Sequence, residues 1–119
     1  MAALLTALNV TRGVNLTDCG RVADGFLTRL VGLLRDKALA EGDGLWIVPC
    51  NSIHSIGMHF IFDAVFLDQN LRVVHLIREM KPWRASKLVF AAHSVLELPA
   101  GLIDKTATEM GDQFEMKRV

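Results

Sequence analysis

Residues 60–77 read FIFDAVFLDQNLRVVHLI. Two arms rich in Val, Ile, Phe and Leu flank the trio Asp68-Gln69-Asn70, whose side chains favour turns, so the stretch predicts a β-hairpin with arms Phe60 to Leu67 and Leu71 to Ile77. Side chains alternate across a strand. Val73, His75 and Ile77 therefore share one face, and Val74 and Leu76 share the other. Few polar residues fall on either face, which predicts that the hairpin lies deep in a sheet.

Further short strands follow in both directions. Leu5 to Val10 and Val14 to Leu16 flank the turn signal Thr11-Arg12-Gly13 and predict a first hairpin. Leu45 to Val48 is a short apolar strand that Pro49 either ends or marks as an edge. Pro82 to Phe90 reads as a connecting loop and Ser94 to Leu98 as a strand. Leu102 to Thr108 reads as a short helix or turn after the Pro99-Ala100-Gly101 bend, and Phe114 to Lys117 as a last strand. One segment has helical spacing. From Arg21 to Leu34, residues Val22, Phe26, Leu27, Leu30, Leu33 and Leu34 recur three and four apart and predict one main amphipathic helix near the N-terminus. The expected fold class is α+β, a small, mostly antiparallel sheet able to curl into a barrel, packed with that helix.

The chain has 119 residues, 51% of them hydrophobic, enough for one domain spanning 1–119. Thirteen basic residues balance thirteen acidic ones. That balance argues against a nucleic-acid partner, which needs several phosphates neutralised. The opening MAALLTALNV has no basic residue ahead of its apolar part, unlike a secretory signal, and no window reaches the roughly 18 apolar residues of a membrane-spanning helix. The expectation is a cytoplasmic protein without membrane insertion. Its two cysteines, Cys19 and Cys50, form no CxxC pair and are expected as thiols.

Chemistry-bearing residues concentrate in PCNSIHSIGMHFIFD, residues 49–63, where Cys50, His54, His59 and Asp63 interrupt an apolar run. Buried polar groups must find partners or be used. Cys50 and His54 are four apart and can share a face, as ligands for Zn²⁺ or Cu⁺ with Met58, His59, His75 or His93, or as a thiolate and base. They equally suit a structural thiol beside a hydrogen-bonded histidine. Arg29 and Arg84 could clamp a carboxylate or phosphate, or could pair with Asp63 or Glu97. Asp63 could orient His54 or bind nearby backbone N–H groups. Trp83 reads as an exposed contact residue or as a lid on the sheet. Glu97, between Leu96 and Leu98, points to the opposite face from them, which a solvated face would suit; if buried, it nearly requires an arginine partner.

The runs TRLVGLLRDKALAEGDGLWI, FDAVFLDQNLRVV and VLELPAG, which span roughly Thr28 to Gly111, resemble the family named domain of unknown function 192. That resemblance implies a compact, strand-rich domain and carries no established activity. In the family's common form a tryptophan, a Lys-Asn-Thr run and a proline precede the aspartate; His54, Ile56-Gly57-Met58 and Ile61 stand there instead. The CNSIH at Cys50 to His54 and Pro82-Trp83-Arg84 look like a subgroup, associated by resemblance with pilus or secretion machinery. The sequence thus predicts a noncatalytic module binding a protein or small ligand near Arg29, His54, Asp63, Trp83 and Arg84. The alternative is a metal- or cysteine-dependent activity centred on Cys50 and His54. No cofactor is named by any motif, and unpaired strand edges leave room for a homodimer.

Overall fold

The computed structural model of the protein describes residues 4–23 and 39–118. Seven strands form one sheet: β1 (Leu4–Asn9), β2 (Val14–Ala23), β3 (Leu45–Ile47), β4 (Phe62–Leu67), β5 (Val73–Met80), β6 (Ser94–Pro99) and β7 (Phe114–Arg118). Their spatial order is β5-β4-β6-β3-β2-β1-β7. Every neighbouring pair is antiparallel except β2 with β3. The ends of the sheet curl toward each other and are stitched at one corner. Phe114 N–H donates to the Leu71 carbonyl at 2.8 Å, Val73 N–H to Asp112 at 2.9 Å and Gly111 N–H to Val73 at 2.8 Å. The result is a curled half-barrel.

The sheet buries both faces. The main core gathers Leu5, Leu16, Val22, Val65, Leu67, Leu96, Leu98, Ile103 and Phe114. The alternate residues of β4, namely Phe62, Ala64 and Phe66, join a second core with Val95 of β6, and Ile53, Met58 and Val89 from two long loops cover it. Every residue of β4 is therefore buried. Close strand approach has its own requirement: a Cβ on Gly20 would lie 2.5 Å from Thr17 Cγ2 and 3.3 Å from the Leu5 carbonyl. A side chain there would force β1 and β2 apart.

The α+β expectation is corrected here. Among the described residues the only helix is α1 (Leu102–Lys105), four residues long and entered through Gly101 at φ 89°. The amphipathic helix expected from Arg21 to Leu34 does not begin as helix, because Arg21, Val22 and Ala23 pair with Leu45, Trp46 and Ile47 as strand. Its remaining residues, Arg29 among them, lie outside the described residues. The physical reason is two-sided burial: Val22 enters the main core while Ala23 packs with Leu45 and Ile47 on the other side. Of the residues whose spacing suggested a helix, Val22 is thus a strand residue, and the others lie outside the described residues.

The central hairpin needs a smaller correction. It forms across Asp68, whose carboxylate accepts the N–H groups of Asn70 (2.8 Å) and Arg72 (2.9 Å), but β5 is an edge strand and only β4 lies inside the sheet. β5 is apolar on both faces because Val74 and Ile77 pack into the loop-covered core. Pro49 ends β3, which lies between β2 and β6, so the proline does not mark an edge. At the other free edge β7 carries Glu115, Lys117 and Arg118, charges that discourage pairing with a second sheet.

Candidate functional site

Two loops, residues 48–61 and 81–93, lie against each other over the second core. Cys50 N–H donates to the His93 carbonyl at 2.8 Å, Val89 N–H to Asn51 at 2.9 Å, Ser86 N–H to Ile53 at 2.8 Å and Ser55 N–H to Arg84 at 2.8 Å. Burial alternates as it would on a strand. Ile53, Ser55 and Val89 face the sheet, whereas His54, Ile56, Leu88 and Phe90 face outward.

Ser55, which is fully buried, holds the clasp together. Its carbonyl accepts the Trp83 N–H at 3.0 Å. Its hydroxyl donates to the Lys81 carbonyl at 2.6 Å and accepts the Arg84 N–H at 2.9 Å. These bonds fix a tight turn in which Trp83 takes φ 62°, a left-handed conformation that side chains other than glycine rarely adopt. Trp83 is nevertheless 61% exposed. At that exposure the ring does not serve as a lid folded onto the sheet. Ser55→Ala leaves two part-buried backbone groups, the Lys81 carbonyl and the Arg84 N–H, without their hydroxyl partner, so it should lower stability by about 2 kcal/mol. A urea titration checks this, and an unchanged midpoint would remove Ser55 as the organiser of the clasp.

The clasp brings together three of the expected ligand-binding residues. His54 is exposed and makes an isolated antiparallel bridge with Ala85, the residue that follows Trp83 and Arg84. Arg84 is exposed, its guanidinium 3.3 Å from the Trp83 carbonyl. Asp63 stands apart and is 0% exposed. Its Oδ1 accepts the Glu79 N–H and its Oδ2 the Ile103 N–H, both at 2.8 Å. Arg29 lies outside the described residues.

Cys50 and His54 diverge. Cys50 is half-buried against two apolar clusters, and its thiol donates to the Ser52 carbonyl at 3.0 Å, whereas His54 faces solvent. Spacing misleads because residues 50–54 are irregular and have neither helical nor strand periodicity. Cys50 instead shares a cleft of about 400 Å³ with His93, Pro49 and Asn51. Among the described residues no three His, Cys, Asp or Glu side chains gather closely enough to hold a metal ion. His75 packs edge-on to Phe66, ring centroids 5.2 Å apart. Burial, and then the positive charge of Lys87, lowers its pKa.

A larger cavity of about 490 Å³ opens between β2 and α1, beside Leu16, Asp18, Glu41, Ala100 and Lys105, and is lined by no residue of the clasp. Glu97, expected on a solvated face, is 1% exposed and engaged in the interior. No helix among the described residues is long and apolar enough to cross a membrane.

Fold and site together define a small curled-sheet protein with a loop-built surface. The model of the DUF192 family, described as an uncharacterized ACR, matches residues 9–116, and the chain belongs to that family. A UPF0127 protein of Pyrococcus furiosus is 32% identical over 117 residues, covering 94% of this chain and 98% of the relative. One from Pyrococcus horikoshii is 35% identical over 100 residues, covering 80% and 84%. Among solved structures, a protein of unknown function from Novosphingobium aromaticivorans superposes with TM-score 0.79 at 18% identity, covering 94% of this chain and 83% of that one. A Sinorhizobium meliloti protein described as a candidate transcription regulator gives 0.77 at 17%, covering 98% and 94%. Such distant likenesses establish the fold alone.

Proposed function

We propose that this chain is a noncatalytic binding module, a single domain over 1–119, whose contact face is the outer side of the paired loops with His54, Trp83 and Arg84 at its centre. The observation that carries this reading is Trp83, held exposed at φ 62° by the bonds from Ser55. Strain of this kind persists only where the surroundings over-determine it, and it concentrates at functional positions. Asp63 serves this face as a positioning residue, through the backbone on either side of it. The alternative centred on Cys50 and His54 is less favoured, because the half-buried thiol turns to the Ser52 carbonyl in the cleft beside His93 while the His54 imidazole faces solvent. What supports an accessory role beside pilus or secretion machinery, in the cytoplasm, is the CNSIH and Pro82-Trp83-Arg84 resemblance alone.

A photo-crosslinking aromatic residue placed at position 83 in the native host should give adducts of defined mass that one at Glu115, on β7, does not. Those adducts should survive Cys50→Ser and weaken in Arg84→Ala. Equal labelling from the two positions would sink the binding-face reading, and loss of adducts in Cys50→Ser would return the thiol to the centre of the function.

A further inference from the structure

The two loops carry no carboxylate, and the second of them carries cations. Between Asp43 and Asp63, and again between Glu79 and Glu97, the sequence contains no acidic residue, although thirteen occur overall. Asp63 and Glu97 are themselves buried beneath the layer, so the first of these carboxylates to reach the surface along β5 is Glu79. The second loop carries Lys81, Arg84 and Lys87, all exposed. Among the described residues none of these three makes an ion pair. In a chain of zero formal net charge this is a segregated cationic face.

Exposed apolar side chains are interleaved with those cations. Phe90 is 87% exposed in the turn that follows buried Val89, and Leu88 on its other side is 48% exposed. Trp83 projects from the Ser55 turn. Exposed aromatic and aliphatic groups scattered between cations along two loop tips need matching pockets on a rigid protein partner. A fluid interface, where amphipathic rings and lysine stems settle at headgroup level, accepts them as they stand.

We infer that the outer face of the paired loops docks on an anionic phospholipid surface, with Lys81, Arg84 and Lys87 at the headgroups and Trp83, Leu88 and Phe90 entering the interfacial layer. This deepens the binding-face reading and rests on it. The depressed pKa of His75, due to burial and then to Lys87, agrees with a positive potential on this side of the sheet. Docking is peripheral and needs no membrane-spanning segment.

The full chain is to be sedimented with phosphatidylglycerol vesicles and, in parallel, with phosphatidylcholine vesicles. Each basic residue near an anionic surface strengthens binding about fivefold, so Lys81→Gln with Lys87→Gln should weaken it roughly 25-fold. Phe90→Ser should weaken it further, and high salt should release the native chain. Native-like circular dichroism of these surface variants shows that they fold. Equal binding to both vesicle types, or binding that ignores Lys81, Lys87 and Phe90, overturns the inference. Failure to bind either vesicle while position 83 still crosslinks to a protein overturns the membrane partner and leaves the binding face standing. Loss of both overturns both.

Discussion

Asp63→Ala should lose about 3–4 kcal/mol of stability and lower the melting temperature by roughly 10 °C, a large share of what holds a domain of this size. The carboxylate stands at the start of β4, where the ladder to β5 slips: Phe62 pairs with Met80 but Ala64 pairs with Ile77. The extra residues form a bulge in which Glu79 takes φ 52°, and Oδ1 of Asp63 accepts the N–H that the bulge frees. Oδ2 accepts the Ile103 N–H in the first turn of α1, which has no side-chain cap of its own. Alanine leaves both donors without a partner, and hydrogen bonds to a charged group contribute about 1.5–3 kcal/mol each. Asp63→Asn keeps one acceptor and turns an NH₂ toward the other donor, so about half the loss is expected. Lys81, whose carbonyl Ser55 grips, lies two residues past the bulge, so the Trp83 turn should loosen along with the fold. Thermal melts of both variants check this. A melting temperature within about 2 °C of the native value, together with lost binding, would make Asp63 a ligand contact and not a support.

The distance between Asp63 and the clasp it supports shows how much of this protein was legible in its sequence. Strands β1, β4, β6 and β7 and helix α1 follow from local apolar runs and turn residues, and the Asp68 turn was readable because its carboxylate bonds within four residues. The expected main helix was misread at its start, since Val22, the first residue of the three-and-four spacing, is paired with Trp46 as strand, a partner 24 positions away that no local pattern announces. The edge position of β5 was hidden for a related reason: loops laid over Val74 and Ile77 give an edge strand the composition of an inner one. Cys50, His54, Trp83 and Arg84 drew attention through their chemistry. Ser55 did not, because the bonds that define it reach residues 26 and 29 positions away, and no local pattern marks a serine as their acceptor and donor. Glu79 and Trp83 adopt left-handed backbone without the glycine that would have announced it.

Asp112 lay equally outside sequence reading, and its replacement should produce the second large effect, with a distinctive pH signature. The residue is 4% exposed, beside the seam where the two ends of the sheet meet. Its Oδ2 accepts the Asn9 amide at 2.9 Å, Arg12 Nε at 3.0 Å and the Glu109 N–H at 3.0 Å. Burial alone would raise the pKa of this carboxyl, but the hydrogen bonds from Arg12, Asn9 and Glu109 outweigh it and hold the group below its ordinary value. A carboxyl whose folded pKa lies below its unfolded pKa contributes stability at all pH above the unfolded value, and that contribution fades as pH falls through the folded one. Asp112→Ala should therefore lose about 2–3 kcal/mol near neutrality, chiefly from leaving the Glu109 N–H without its carboxylate and the buried Asn9 amide with only its bond to Thr108, the half-exposed Arg12 limb being screened by solvent. Asp112→Asn should lose less at neutral pH, and below about pH 4 its curve should converge on that of the native chain. Urea midpoints measured from neutral to acidic pH decide the matter, since parallel curves for native and Asp112→Asn proteins would show that the carboxylate is not what the seam depends on. Where the seam does open, it opens first at the amides of Val73 and Phe114, which cross it, and their hydrogen exchange should quicken before that of β4.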